Sequence, residues 1–143
     1  MSKTPKLLVL VTKGLSEDYV ESLLISVRGS LKSLGIENVQ LKDSGTWFRE
    51  RFPACSDWDS WIWETVNGID YASRELYFDG FILTSRQLGR ANASIVSLAL
   101  RNKRLVLAYE DEDRPLRNVI QINVEDENNW VEGWSFDSTE IGG

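Results

Sequence analysis

The 143-residue sequence predicts an α/β fold, a flavodoxin-like or Rossmann-like three-layer sandwich with a mainly parallel five-stranded sheet. Two observations predict it. Short, continuous apolar runs read as strands buried on both faces, the signature of a parallel sheet. Segments with helical apolar spacing separate these runs, and strand–helix alternation with short connections puts helices on both faces. The chain reads as a single domain, 1–143, with 138–143 a frayed tail; it has no linker, repeat or low-complexity tract.

Leu7–Val11 is the first strand, and Thr12-Lys13-Gly14-Leu15 is the turn after it. Ser16 caps a helix whose first turn carries Glu17 and Asp18, where acids favour the dipole. Tyr19, Val20, Leu23, Leu24, Val27, Leu31 and Leu34 recur at helical spacing, and Gly35 ends the helix. Val39–Leu41 is a short second strand. Asp43 to Pro53, with Gly45, Trp47 and two arginines, reads as a long loop. Ser56 or Asp57 caps a second helix with Trp58, Trp61, Ile62 and Val66 on its core face, while Trp63 falls off that face; Gly68 ends it. Phe78–Thr84 is the third strand, followed by a helix burying Ala91, Ile95, Val96, Leu98 and Ala99. Leu105–Tyr109 is the fourth strand and Val119–Val124 an edge fifth. The two tryptophans of Trp130–Trp134 predict a packed tail, since large aromatic side chains rarely stay in water.

Composition excludes several chemistries. There is no histidine and one cysteine, Cys55. Ser-His-Asp and Cys-His catalysis and zinc clusters are therefore absent, as is an internal disulfide. The net charge of −6, with basic residues scattered, argues against direct nucleic-acid binding. No apolar run approaches the ~20 residues of a membrane helix, and Leu7–Val11 is too short for a signal-peptide core, so a cytoplasmic protein is expected.

In open α/β sheets, ligands bind beyond the carboxyl ends of the strands. Three segments converge there. Thr12, Lys13 and Gly14 follow the first strand, and Trp47 lies in the loop after the second, placed to stack on a base or flavin ring. Thr84, Ser85, Arg86, Gly89, Arg90 and Asn92 surround a helix start, where free N–H groups and arginines attract anions. These residues point to a nucleotide-type small-molecule ligand. Asp43, Asp79 and Glu110 are the acids available if a reaction is catalysed. Glu110 to Asp113 is a carboxylate run with at most a Mg²⁺ site, and no cofactor is required by the pattern.

Phe78-Asp79-Gly80-Phe81-Ile82-Leu83-Thr84, Gly89-Arg90-Ala91-Asn92-Ala93-Ser94 and Lys103-Arg104-Leu105-Val106-Leu107 together resemble the nucleoside 2-deoxyribosyltransferase-like superfamily over about a quarter of the chain. The resemblance implies a flavodoxin-like fold acting on the N-glycosidic bond of a nucleoside or nucleotide, with a nucleophilic glutamate just inside the helix after the glycine turn. Here that neighbourhood is Asn92-Ala93-Ser94, and an amide cannot form the glycosyl ester that a carboxylate forms. The resemblance therefore implies a domain that binds such a ligand without turning it over. Thr12–Ser16 and Thr46-Trp47 also resemble the phosphate and flavin loops of flavodoxins, which would imply FMN; Lys13 stands where those carry a hydroxyl. A third reading is an acidic interaction protein that blocks a basic partner surface, using the Glu110–Asp113 run, Glu125-Asp126-Glu127 and the surplus tryptophans, Trp63 above all. An oligomer is compatible with each reading.

Overall fold

A computed structural model describes residues 4–12, 14–51, 58–85, 89–111, 113–114, 116–125 and 130–136; for 58, 90, 120–125 and 130–136 it describes the backbone alone. Lys13, the 52–57 segment with Cys55, Ser56 and Asp57, Arg86 and the 138–143 tail therefore lie outside the described residues, as do Glu112, Asp126 and Glu127.

The apolar run at the start forms β1, Lys6–Leu10, with Leu7 to Leu10 all buried. Alternate residues serve opposite faces, as a strand requires. Leu8 and Leu10 enter one core with Trp61, Phe81, Leu83, Ile95 and Val106. Leu7 and Val9 enter the other with Val27, Leu31, Ile82 and Leu107. The continuous hydrophobicity of this strand is thus the consequence of two cores, one on each side of the sheet.

Helix α1, Glu17–Ser33, begins where Ser16 accepts a 3.1 Å hydrogen bond from the Tyr19 N–H. It ends in a Schellman motif: Gly35, at φ +84°, donates to the Lys32 carbonyl, and Ile36 donates to that of Leu31. Val27 and Leu31 form its buried stripe, whereas Tyr19, expected on that stripe, is exposed.

β2, Gln40–Asp43, leads directly into α2, Ser44–Arg51, in place of the loop expected from its composition. The reason is local. The Asp43 carboxylate accepts from the Thr46 N–H at 2.9 Å and the Thr46 hydroxyl at 2.7 Å, capping the helix, and Trp47 anchors it to the core. Helix α3, Trp58–Asn67, buries Trp61 and Val66. A hairpin of β3, Ile69–Asp70, and β4, Glu75–Leu76, follows it, unforeseen because two-residue strands carry no periodicity. Then come β5, Gly80–Leu83; α4, Gly89–Arg101; β6, Leu105–Ala108; β7, Arg117–Glu125; and β8, Trp130–Phe136.

The sheet order is β2-β1-β5-β6-β7-β8. β2, β1, β5 and β6 are mutually parallel, and β7 joins β6 antiparallel, which gives the expected mainly parallel five-stranded sheet. Where the sequence predicts a packed tail, the backbone of Trp130–Phe136 forms a sixth strand, β8, paired antiparallel with β7. Helices cover both faces, α1 on one and α2, α3 and α4 on the other. Among the described residues no helix is long and apolar enough to cross a membrane.

Candidate functional site

The chain leaves β1 toward β2 on one side and returns through β5 and β6 on the other. The strand order therefore reverses between β1 and β5, and ligands of open α/β sheets bind outside the carboxyl ends of the strands at such a switch point. Here the residues concerned are Val11 and Thr12 after β1, Thr84 and Ser85 after β5, and the first turn of α4.

Three side chains close this region around the end of β1. The Thr84 hydroxyl donates to the Leu10 carbonyl at 2.7 Å. The Asn92 amide donates to the Val11 carbonyl at 2.7 Å, and the Ser44 hydroxyl accepts from the Val11 N–H at 3.0 Å. Past the last ladder residue, buried backbone groups need partners, and these side chains supply them. They hold β1, β5, α2 and α4 in fixed relation at one point.

Gly89 opens α4 with φ +74°, a conformation that a side chain would strain, so the turn from β5 into the helix depends on it. The first turn of α4 carries no acid, whereas that of α1 carries Glu17 and Asp18. The positive end of the α4 dipole is therefore left uncompensated by acids of its own turn. Gly14 lies in the turn after β1, and Thr12 and Ser85 are half-buried beside it and beside β5. Arg90 places its backbone in the first turn of α4.

Other expected site residues lie elsewhere or are committed. Trp47 is on a helix, 6 % exposed, with its indole N–H donating to the Thr65 hydroxyl at 2.9 Å and its ring against Tyr77 and Phe78. It is a core residue and offers no face to a base or flavin. Asp43 is buried and consumed as the cap of α2. Asp79 is at the wrong edge of the sheet: it exchanges hydrogen bonds with the Lys6 backbone, its carboxylate accepting at 2.8 Å. That edge holds the amino ends of β1 and β5, roughly 16 Å along the strand from Thr84 at ~3.3 Å per residue.

Glu110, past the end of β6, is exposed and paired with Arg114, which also contacts Asp111. The Glu110 contact holds the Arg114 guanidinium above its ordinary pKa. Among the described residues no group of three acids or cysteines is placed to hold a metal ion.

Ser44 lies in the segment whose composition predicts a loop, so its role at the end of β1 does not show in that composition. A hydroxyl directly after a strand, two residues before a capped threonine, is the signal that marks it. No protein-family model, curated protein or solved structure matches the chain.

Proposed function

We propose that the protein binds a nucleotide or nucleoside derivative at the switch point between β1 and β5, without catalysing its turnover. The observation that carries this reading is the strand order, which sets Thr12, Thr84, Ser85 and the acid-free start of α4 around one reversal. The anionic group of the ligand lies at the α4 N-terminus, with Arg90 as its ionic partner. The commitments of the three candidate acids support the non-catalytic part of this reading: Asp43 caps a helix, Asp79 sits at the opposite end of the strands, and Glu110 is ion-paired. Asn92, in the neighbourhood where the resembled superfamily carries its glutamate, holds the Val11 carbonyl.

A thermal-shift screen of nucleosides, nucleotides and flavins tests the reading. A ligand at 100 times its dissociation constant adds about 2.7 kcal/mol of stability. Arg90→Ala weakens binding by about 1.5–3 kcal/mol where the arginine holds a charged phosphate. A panel without any stabilising compound contradicts the proposal. Release of free base from a nucleoside contradicts its non-catalytic part.

One observation favours a second reading, an acidic protein-interaction module. Trp63 is 58 % exposed on the outer stripe of α3 with Asp59, a residue type enriched at interface hot spots. Loss of a partner on Trp63→Ala and at high salt, with nucleotide binding absent, selects it.

A further inference from the structure

β2 hands the chain to α2 at the carboxyl end of the sheet, and one side chain of α2 turns back to that end. Arg49 lies one helical turn after Gly45, and long helix side chains lean toward the helix N-terminus. Its guanidinium therefore comes back over the first turn of α2. A β-carbon on Gly45 would meet the Arg49 Nη1 at 3.2 Å, the Asp43 Oδ2 at 3.2 Å and the Val11 Cγ2 at 4.0 Å. The missing side chain of Gly45 thus leaves room for a cation between the ends of β2 and β1.

The three cations of this stretch differ in their partners. Lys42 pairs with Glu50 and Arg51 with Glu64, each at 2.7 Å. Arg49 donates one hydrogen bond, from Nη2 to the Thr46 hydroxyl at 3.2 Å, and among the described residues no carboxylate is in ion-pair contact with it. The Asp43 carboxylate beside it gives its two oxygens to the N–H and the hydroxyl of Thr46. A guanidinium presents five N–H donors in a planar fork that matches phosphate. In a chain of net charge −6, an arginine held at the end of β1 without a carboxylate partner is a place for an anion from outside the chain.

We propose that Arg49 sets the ligand class of the switch-point site by holding a second anionic group, so that the ligand is a nucleoside bisphosphate with phosphates on two positions of its ribose. This rests on the reading that a nucleotide occupies the switch point. The start of α4 flanks the end of β1 from the β5 side, and Arg49 flanks it from the β2 side. Neighbouring strands stand ~4.8 Å apart. The adjacent phosphates of a diphosphate, joined through one oxygen, are too close together to serve both sides, whereas phosphates on two ribose positions reach both.

Calorimetric titration of the full chain with the 5′-monophosphates and the 3′,5′-bisphosphates of the four common ribonucleosides tests it, with far-UV circular dichroism as the check on folding. For the base that binds, the wild type takes the bisphosphate about tenfold or more tighter than the monophosphate. Arg49→Gln brings that ratio to about one, and Arg49→Lys, which keeps the charge without the fork, leaves it in between. Equal affinity of the wild type for both compounds overturns the proposal while the switch-point reading stands. So does a ratio that Arg49→Gln leaves unchanged, the result expected of an arginine that only shields Asp43. Binding of neither compound for any base overturns the switch-point reading and this proposal with it.

Discussion

The Asn92 side-chain amide, in the first turn of α4, donates a 2.7 Å hydrogen bond to the carbonyl of Val11, 81 positions earlier and just past the end of β1. Both residues are buried. The contact joins the helix after one strand to the end of its neighbour, at the point where strand order reverses.

Among the described residues, Asn92→Ala leaves that carbonyl the Ser44 hydroxyl, at a long 3.4 Å. An unsatisfied buried acceptor costs about 1–3 kcal/mol. Urea unfolding of the variant shows a loss of this size with an unchanged m-value. A loss near zero contradicts the role assigned to Asn92.

Trp47 and Thr65 form a second buried pair, indole N–H to hydroxyl at 2.9 Å. Removing one partner strands the other, whereas removing both does not. Trp47→Phe and Thr65→Val each destabilise, and the double variant costs less than their sum by about 0.5–3 kcal/mol. A double-mutant cycle in denaturant measures the coupling, and strict additivity contradicts the bond.

Gly68 follows α3, and a β-carbon there would lie 2.3 Å from the Glu64 carbonyl oxygen. That oxygen accepts the Gly68 N–H and belongs to backbone, so it cannot swing away. Gly68→Ala therefore destabilises by about 1–3 kcal/mol through overpacking. An unchanged thermal midpoint contradicts this placement.

Arg104 carries a guanidinium that donates to two carbonyls at once, Val66 at 2.5 Å and Phe78. It ties the end of α3 to the approach to β5. Burial lowers its pKa, with Asp79 opposing that shift. The group stays charged through the physiological range, so it adds no pH dependence there. A lysine has no fork and reaches one carbonyl at a time. Arg104→Lys destabilises by about 1–2 kcal/mol, equally at pH 6 and pH 8, in chemical denaturation.

The parts of the fold that speak through period and caps were legible. Leu7–Val11 shows itself by unbroken hydrophobicity, and α1 by Ser16 at one end and Gly35 at the other. Helix α2 was not legible, because its cap, Asp43, is also the last residue of a strand and its buried anchor is a single tryptophan. The β3–β4 hairpin has too few residues to show any period. β8 was read as packed without its strand, because Gly133 interrupts the alternation.

At the site, Thr84 and Asn92 were placed at the right end of the sheet. Their bonding was invisible because the partners, Leu10 and Val11, are 74 and 81 positions away. Asp79, an acid available by residue type, lies at the amino end of β5, where its carboxylate accepts from the Lys6 N–H.

The central claim is that a nucleotide-type ligand occupies the switch point. The most direct measurement is amide chemical-shift mapping of the full chain with the best-stabilising nucleotide or nucleoside. Ligand at the switch point shifts the amides of Thr12, Gly14, Thr84, Ser85 and the first turn of α4 from Gly89 to Asn92, and leaves the amino end around Lys6 and Asp79 unmoved. Shifts centred on Lys6, Asp79 and the β3–β4 hairpin, or saturation without localised shifts, would contradict it.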